Sequence, residues 1–230
     1  MVAQHQINTP AQVNIPEPIF YPDGDGQPMA DNTQQFRWIV TIKENLEILF
    51  ADQPDVFVAG NLLWYPAEGN NQRCYAPDTM VVFGRPKGDR SSYKQWTEDG
   101  IAPQIVFEIL SPRNTINEMT RKLLFYQQYG VEEYYQYDSN HNELVGAHRV
   151  NAALTEISDM QGWVSPRLGI SFQLDDDMLM IYTPNGEPFL TSVELAQQRD
   201  QARQKAEEER RRADRLADRL RELGVDPDHV

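Results

Sequence analysis

The chain has 230 residues, 40% apolar and 24% charged, which is enough to bury a sizeable core and excludes global disorder. A single cysteine, Cys74, excludes an internal disulfide and fits a reducing compartment. The net charge of −14 argues against a nucleic-acid partner unless a local basic patch overrides the global field.

No apolar run reaches membrane-span length, and the opening MVAQHQINTP lacks the basic and apolar segments of a secretory signal. A soluble, cytoplasmic protein is the expectation. Residues 1–19 are polar and proline-containing and read as a flexible arm. Tyr21-Pro22-Asp23-Gly24-Asp25-Gly26-Gln27-Pro28 is dense in turn formers, and its Gly-Asp-Gly is no phosphate loop because the Lys-Ser/Thr ending is absent. Asp31-Asn32-Thr33 offers capping residues before a helix whose Phe36, Ile39, Lys43, Leu46 and Phe50 fall roughly on one stripe.

Four β-rich runs follow, at Val56–Tyr65, Thr79–Phe83, Gln104–Leu110 and Glu133–Tyr137. After the third comes a helix over about 116–129, with Gly130 where a C-cap glycine belongs. Thr115-Ile116-Asn117-Glu118 fits a capping box, and Met119, Leu123 and Tyr126 form the packing stripe. Ser139-Asn140-His141-Asn142 reads as a hairpin turn into Glu143–Val150, and a β-rich tail runs to about Tyr182 with breaks at Gly162 and Pro166.

From Val193 to Leu223 there is neither proline nor glycine, and a long helix is expected. Leu195, Ala202, Ala206, Ala213, Leu216, Leu220 and Leu223 follow the alternating three- and four-residue spacing of a heptad seam, which Arg199 and Glu209 share. A coiled coil is expected, against a solvated single helix held by ion pairs. From Glu194 to Glu222 the helix has nine basic and eight acidic residues, so the acidity lies elsewhere and the helix is no basic nucleic-acid tail.

The run Ile105-Val106-Phe107-Glu108-Ile109-Leu110 carries the first candidate for chemistry. Period-two alternation puts Val106, Glu108 and Leu110 on one face and Ile105, Phe107 and Ile109 on the other, and both faces are otherwise apolar. A carboxylate inside such a strand costs several kcal/mol unless it is paired or bound to a metal. A partnered structural glutamate is an equal reading of this residue alone. Pro77-Asp78 places a second carboxylate at the mouth of the Thr79–Phe83 strand. Lys122 stands two turns into the following helix, where its side chain leans toward the helix start and could reach the end of the Glu108 strand. Its structural reading is an ion pair with Glu118. Two carboxylates on neighbouring strands and a lysine form a known type of phosphodiesterase site, in which Mg²⁺ (or Mn²⁺) polarises the phosphoryl oxygen and the lysine orients the attacking water.

Together, APDTMVVFG, PQIVFEILSP and EMTRKLLFYQQYGVEEYYQYD resemble the Uma-two family of bacterial endonucleases, within the PD-(D/E)XK restriction-endonuclease-like superfamily. The resemblance covers about 31–183. It implies an α/β fold with a central mixed β-sheet flanked by helices, metal ligation by Asp78, Glu108 and the main-chain carbonyl of Ile109, and DNA as substrate. The superfamily's lysine stands two residues after the acidic ligand, which here is Leu110, so the resemblance points to Lys122 from the following helix. Many members also carry a glutamate in a hairpin before the first helix. Here that region reads Asp23-Gly24-Asp25-Gly26-Gln27, and Gln34 or Gln35 could stand near the metal instead.

The loop from Arg85 to Trp96, with Lys87 and Arg90, joins Arg113 and Arg121 as candidate phosphate contacts, with Tyr93 or Trp96 for stacking; a solvated surface loop is the competing reading. The four scattered histidines speak against zinc. The sequence is thus read as an endonuclease-like core over 20–185 and a C-terminal helix over 190–225 that pairs the chain as a homodimer. A catalytically silent scaffold or regulatory binding module, which the −14 charge favours, is the alternative.

Overall fold

The structure, a computed structural model, describes residues 19–24, 26, 30–176, 178–223 and 226. The arm expected over 1–19 lies almost wholly outside the described residues, as do Asp25 and Gln27.

Helix α1 (Thr33–Leu49) begins at Asn32, whose side chain accepts a hydrogen bond from the Gln35 amide (2.8 Å). Its inward stripe is rotated from the one read in the sequence. Ile39, Ile42 and Leu46 are buried, whereas Phe36 is half exposed and Lys43 pairs with Glu44 and Glu47 at the surface. Two polar residues, Gln35 and Asn45, take the vacated inward places because each has a main-chain partner there.

The strands are β1 (Val56–Gly60), β2 (Trp64–Tyr65), β3 (Thr79–Phe83), β4 (Tyr93–Lys94) and β5 (Ile105–Ile109). The run expected as one strand over Val56–Tyr65 breaks at Asn61, whose φ of 50° lies in the left-handed region that ends a ladder. Helix α2 (Ile116–Tyr129) follows, capped by Thr115 and closed by Gly130 at φ 100°. Only half of the expected capping box forms: Thr115 Oγ1 accepts from the Glu118 amide, but the Glu118 carboxylate accepts from Asn114 Nδ2 (3.2 Å). Then come β6 (Glu133–Asp138), β7 (Glu143–Val150), β8 (Ala153–Glu156), β9 (Ser171–Leu174) and β10 (Leu179–Tyr182), and last α3 (Ser192–Glu222).

The main sheet has the order β1-β3-β5-β6-β7-β8 and is mixed. Only β5 and β6 run parallel, and α2 supplies the crossover that a parallel pair requires. Alternation sorts β5 between two cores. Ile105, Phe107 and Ile109 pack on the face covered by α1 and the β9–β10 hairpin. Val106 packs on the other, with Phe125 and Tyr126 of α2 and Trp64 of the small parallel β2–β4 pair. The sheet is thus covered on both faces, and Glu108 shares the face of Val106.

Helix α3 opens with a reciprocal capping box between Thr191 and Glu194 and buries none of its residues. Asn45 of α1 ties down the segment before it, donating to the Leu190 carbonyl (2.7 Å) and accepting from its amide (3.1 Å). No helix among the described residues is long and apolar enough to cross a membrane.

Candidate active site

Strands β3 and β5 are antiparallel, with Thr79 opposite Phe107. Continuing that register by one residue sets Asp78 opposite Glu108, and residues so paired project to the same face of the sheet. Both carboxylates therefore meet where β3 begins and β5 ends, under the first turns of α2. Asp78 is 7% exposed and Glu108 2%.

Glu108 is partnered on both oxygens. Lys122 Nζ donates to Oε2 at 2.8 Å, reaching back from α2, and the Tyr126 hydroxyl donates to Oε1. The Tyr126 ring is clamped by Trp64, stacked at 6.2 Å, and by Tyr134 at 5.8 Å, which fixes where its hydroxyl points. Asp78 Oδ2 accepts the Ile109 amide at 2.7 Å. The carbonyl of the same Ile109 accepts from Gln35 Nε2 at 2.8 Å, which brings α1 to the site. One lone pair of that carbonyl remains.

The electrostatics follow from two acids and one cation in a dry place. Burial, reinforced by the Glu108 charge, pushes the Asp78 carboxyl up to about 8, although Lys122 and the Ile109 amide pull the other way. For Lys122, burial opposes the charge, but Glu108 and Asp78 outweigh it and hold the ammonium above its ordinary range. Burial and the neighbouring Glu108 raise Tyr126 well above the phenol range, so it stays a donor. The lysine is therefore a fixed cation and not a base at neutral pH.

An open pocket of about 420 Å³ lies over this group, lined among others by Asp31, Gln35, Asp78, Arg113, Glu118 and Lys122. Glu108 is not among its lining residues. At the rim, Asp31 accepts from Ser111 Oγ and from Arg113 Nη1 (3.1 Å). A neighbouring hollow, sharing Cys74 and Tyr75 with the pocket, is lined by Arg73 and Arg121.

The structure brings together Asp78, Glu108, Ile109 and Lys122, with Arg113 at the edge. It does not bring Arg85, Lys87 and Arg90 to them. These follow the far end of β3, roughly 20 Å of extended chain from Asp78. Arg85 and Arg90 clamp the largely buried Glu98 (2.8 and 2.7 Å), Arg90 also stacks on Phe57, and Lys87 donates to the Phe50 carbonyl (2.7 Å). Tyr93 is fully buried with its hydroxyl on the Ile101 carbonyl, so it presents no face for stacking, and Trp96 packs on Tyr21. In the sequence Tyr126 reads as a packing residue and Asp31 as a capping one; nothing local marks Tyr126 as a partner of Glu108 or Asp31 as a pocket residue.

The donor set fits a hard divalent cation. Among the described residues no three His, Cys, Asp or Glu side chains are grouped to hold a metal. Two carboxylates and a carbonyl suit Mg²⁺, which keeps several waters and needs only one or two carboxylates. Burial first, and the Glu108 charge second, push Asp78 up, and a cation held between the two carboxylates would offset both.

A family model described as "Putative restriction endonuclease", Uma2, matches residues 21–178, more than half of the chain. Among solved structures, a crystal structure of a "putative nuclease belonging to DUF820" from Anabaena variabilis is similar at 14% identity, covering 61% of this chain and 74% of that one, with a TM-score of 0.43. No match to a curated protein was found.

Proposed function

The chain belongs to the Uma2 family of restriction-endonuclease-like proteins, and on that premise we propose that it is a Mg²⁺-dependent nuclease hydrolysing DNA phosphodiesters at the Asp78–Glu108–Lys122 site. The observation that carries this reading is the convergence of two buried carboxylates from adjacent strands and one lysine from the crossover helix.

Asp78, Glu108 and the free lone pair of the Ile109 carbonyl would hold the ion, which when bound supplies Lewis-acid polarisation of the phosphoryl group and a more acidic water. Lys122 offers a permanent positive charge, so its part is to orient the attacking water and balance charge developing on the phosphorane-like oxygens. Tyr126 keeps Glu108 aimed, and Gln35 does the same for the Ile109 carbonyl. Arg113, with Arg121 and Arg73 in the adjoining hollow, gives a local positive lane for a phosphate backbone on a chain of net charge −14. Pairing of two cores through α3, which the heptad seam alone would suggest, is not required for cutting one strand.

One observation favours the second reading, a catalytically silent binding module: both Glu108 oxygens are already satisfied by Lys122 and Tyr126 without an ion. Thermal unfolding against MgCl₂ and MnCl₂ separates the two. A nuclease site gives a metal-dependent rise in midpoint that Glu108→Gln removes. A rise that survives in Glu108→Gln, or none at all, speaks for the silent module.

A further inference from the structure

Helix α3 is 31 residues long with no buried residue, and it leaves the core along a seam of small and branched apolar side chains. Leu216 and Leu223, in that seam, are 58% and 66% exposed. The residues that flank the seam decide what can cover it. With Leu195, Ala202, Leu216 and Leu223 at one core position of the heptad, and Ala206, Ala213 and Leu220 at the other, the charged residues at the two flanking positions are Arg203, Lys205, Arg210, Arg212 and Arg219. All are basic. Arg199 adds a cation within the seam, against one carboxylate there, Glu209. The remaining acids, including Asp200, Glu207, Asp214 and Asp218, lie on the opposite side of the helix.

A second copy of this helix is a poor cover. In a parallel pair Lys205 of one chain would meet Arg210 of the other, and in an antiparallel pair like flanks face each other, so basic residues oppose basic residues in both orientations. Pairs within the helix, Arg203–Glu207 (3.3 Å) and Arg219–Glu222 (2.7 Å), temper the ends of the stripe, but Lys205, Arg210 and Arg212 at its middle make no ion pair among the described residues. A phosphate backbone would meet the cations but would gain nothing from the two exposed leucines of the seam, Leu216 and Leu223.

We propose that α3 is a docking helix for a different protein, and that the partner presents an acidic amphipathic helix: an apolar seam flanked on both sides by Glu or Asp. The two form a heteromeric coiled coil, with the seam supplying affinity and the flanks supplying choice of partner. This does not depend on whether the core cuts nucleic acid.

The test uses the full chain and a synthetic peptide of about four heptads with a Leu/Ala seam and Glu at both flanks. A control peptide has the same composition and flanks but a scrambled seam. Sedimentation equilibrium is expected to show a monomer alone and a one-to-one complex with the first peptide, weakening as salt is added. The variant K205E/R210E/R212E is expected to bind the peptide at least about tenfold more weakly, as is L216D/L220D. R211E/R215E, on the far side of α3, should bind as the unaltered chain does. The unfolding midpoint of the core reports that each variant is folded. The proposal is overturned by stable dimers of the full chain at the same micromolar concentrations, by no binding of the first peptide to the unaltered chain, whether or not K205E/R210E/R212E then loses affinity for a DNA duplex, or by equal binding of the scrambled peptide.

Discussion

Glu108 concentrates the physics of the site in one side chain. A charge this deep survives only because Lys122 and Tyr126 both donate to it. Lys122→Met strands that charge and is expected to cost about 3–5 kcal/mol in denaturant unfolding. Tyr126→Phe removes one hydrogen bond and should cost about 1–3 kcal/mol, with nuclease activity falling as Glu108 loses its aim. Glu98 gives the pH test away from the pocket. Burial pushes its carboxyl up, but Arg90 and Arg85 outweigh burial and hold it below the usual range. A lowered folded value means the stabilisation is present above the unfolded pKa of 4.5 and is lost as pH falls through the folded one. Glu98→Gln should therefore cost roughly 2–4 kcal/mol at neutral pH, and the gap from the unaltered chain should narrow as pH falls below that value. A gap unchanged in acid would remove the carboxylate's charge from the explanation. At this scale the sequence speaks where a residue contradicts its surroundings: a glutamate in an apolar run is conspicuous, and a lysine's reach along a helix is calculable. Tyr126 is silent because its ring fits a packing stripe whatever its hydroxyl does. Gln35 is suggested only by the family resemblance, beside Gln34, because its partner, Ile109, is 74 residues away and no local pattern marks the contact.

Elements explain why the pocket sits where it does. The parallel β5–β6 step forces a crossover, α2 is that crossover, and its first turns overhang the end of β5. The strands, the crossover helix and its caps are legible because apolar alternation, Thr115 and Gly130 are local signals. The face of α1 is not, since its inward stripe includes Gln35 and Asn45, whose burial is set by partners in distant segments. The basic loop misleads for a related reason. Its closeness to Asp78 in sequence becomes distance in space because an extended strand separates them. Two substitutions probe the packing between elements. A Cβ at Gly146 of β7 would run into Met160 Sδ and stand 2.8 Å from Ile157 Cδ1, so Gly146→Ala should cost about 1–3 kcal/mol by overpacking, read from the unfolding midpoint. Asn45→Ala leaves the Leu190 amide and carbonyl without their side-chain partner, and faster amide exchange is expected at the base of α3 while β5 stays protected.

Across the whole molecule, charge is divided between the core and the last helix. The core holds the acidity, and within it Arg73, Arg113 and Arg121 mark the pocket's surroundings as an exception. The α3 helix is nearly neutral in sum yet sorted into a basic and an acidic side, a distinction that net charge conceals and heptad position reveals. The central claim is that the pocket beneath α2 cuts nucleic acid. Incubation of supercoiled plasmid with the purified chain tests it most directly, using Mg²⁺ or Mn²⁺, with a chelator control and with Asp78→Asn, Glu108→Gln and Lys122→Ala in parallel. The expected result is metal-dependent nicking by the unaltered chain, abolished by the chelator and reduced at least about a hundredfold in each variant. No nicking with either ion, or equal nicking by Glu108→Gln, would contradict it.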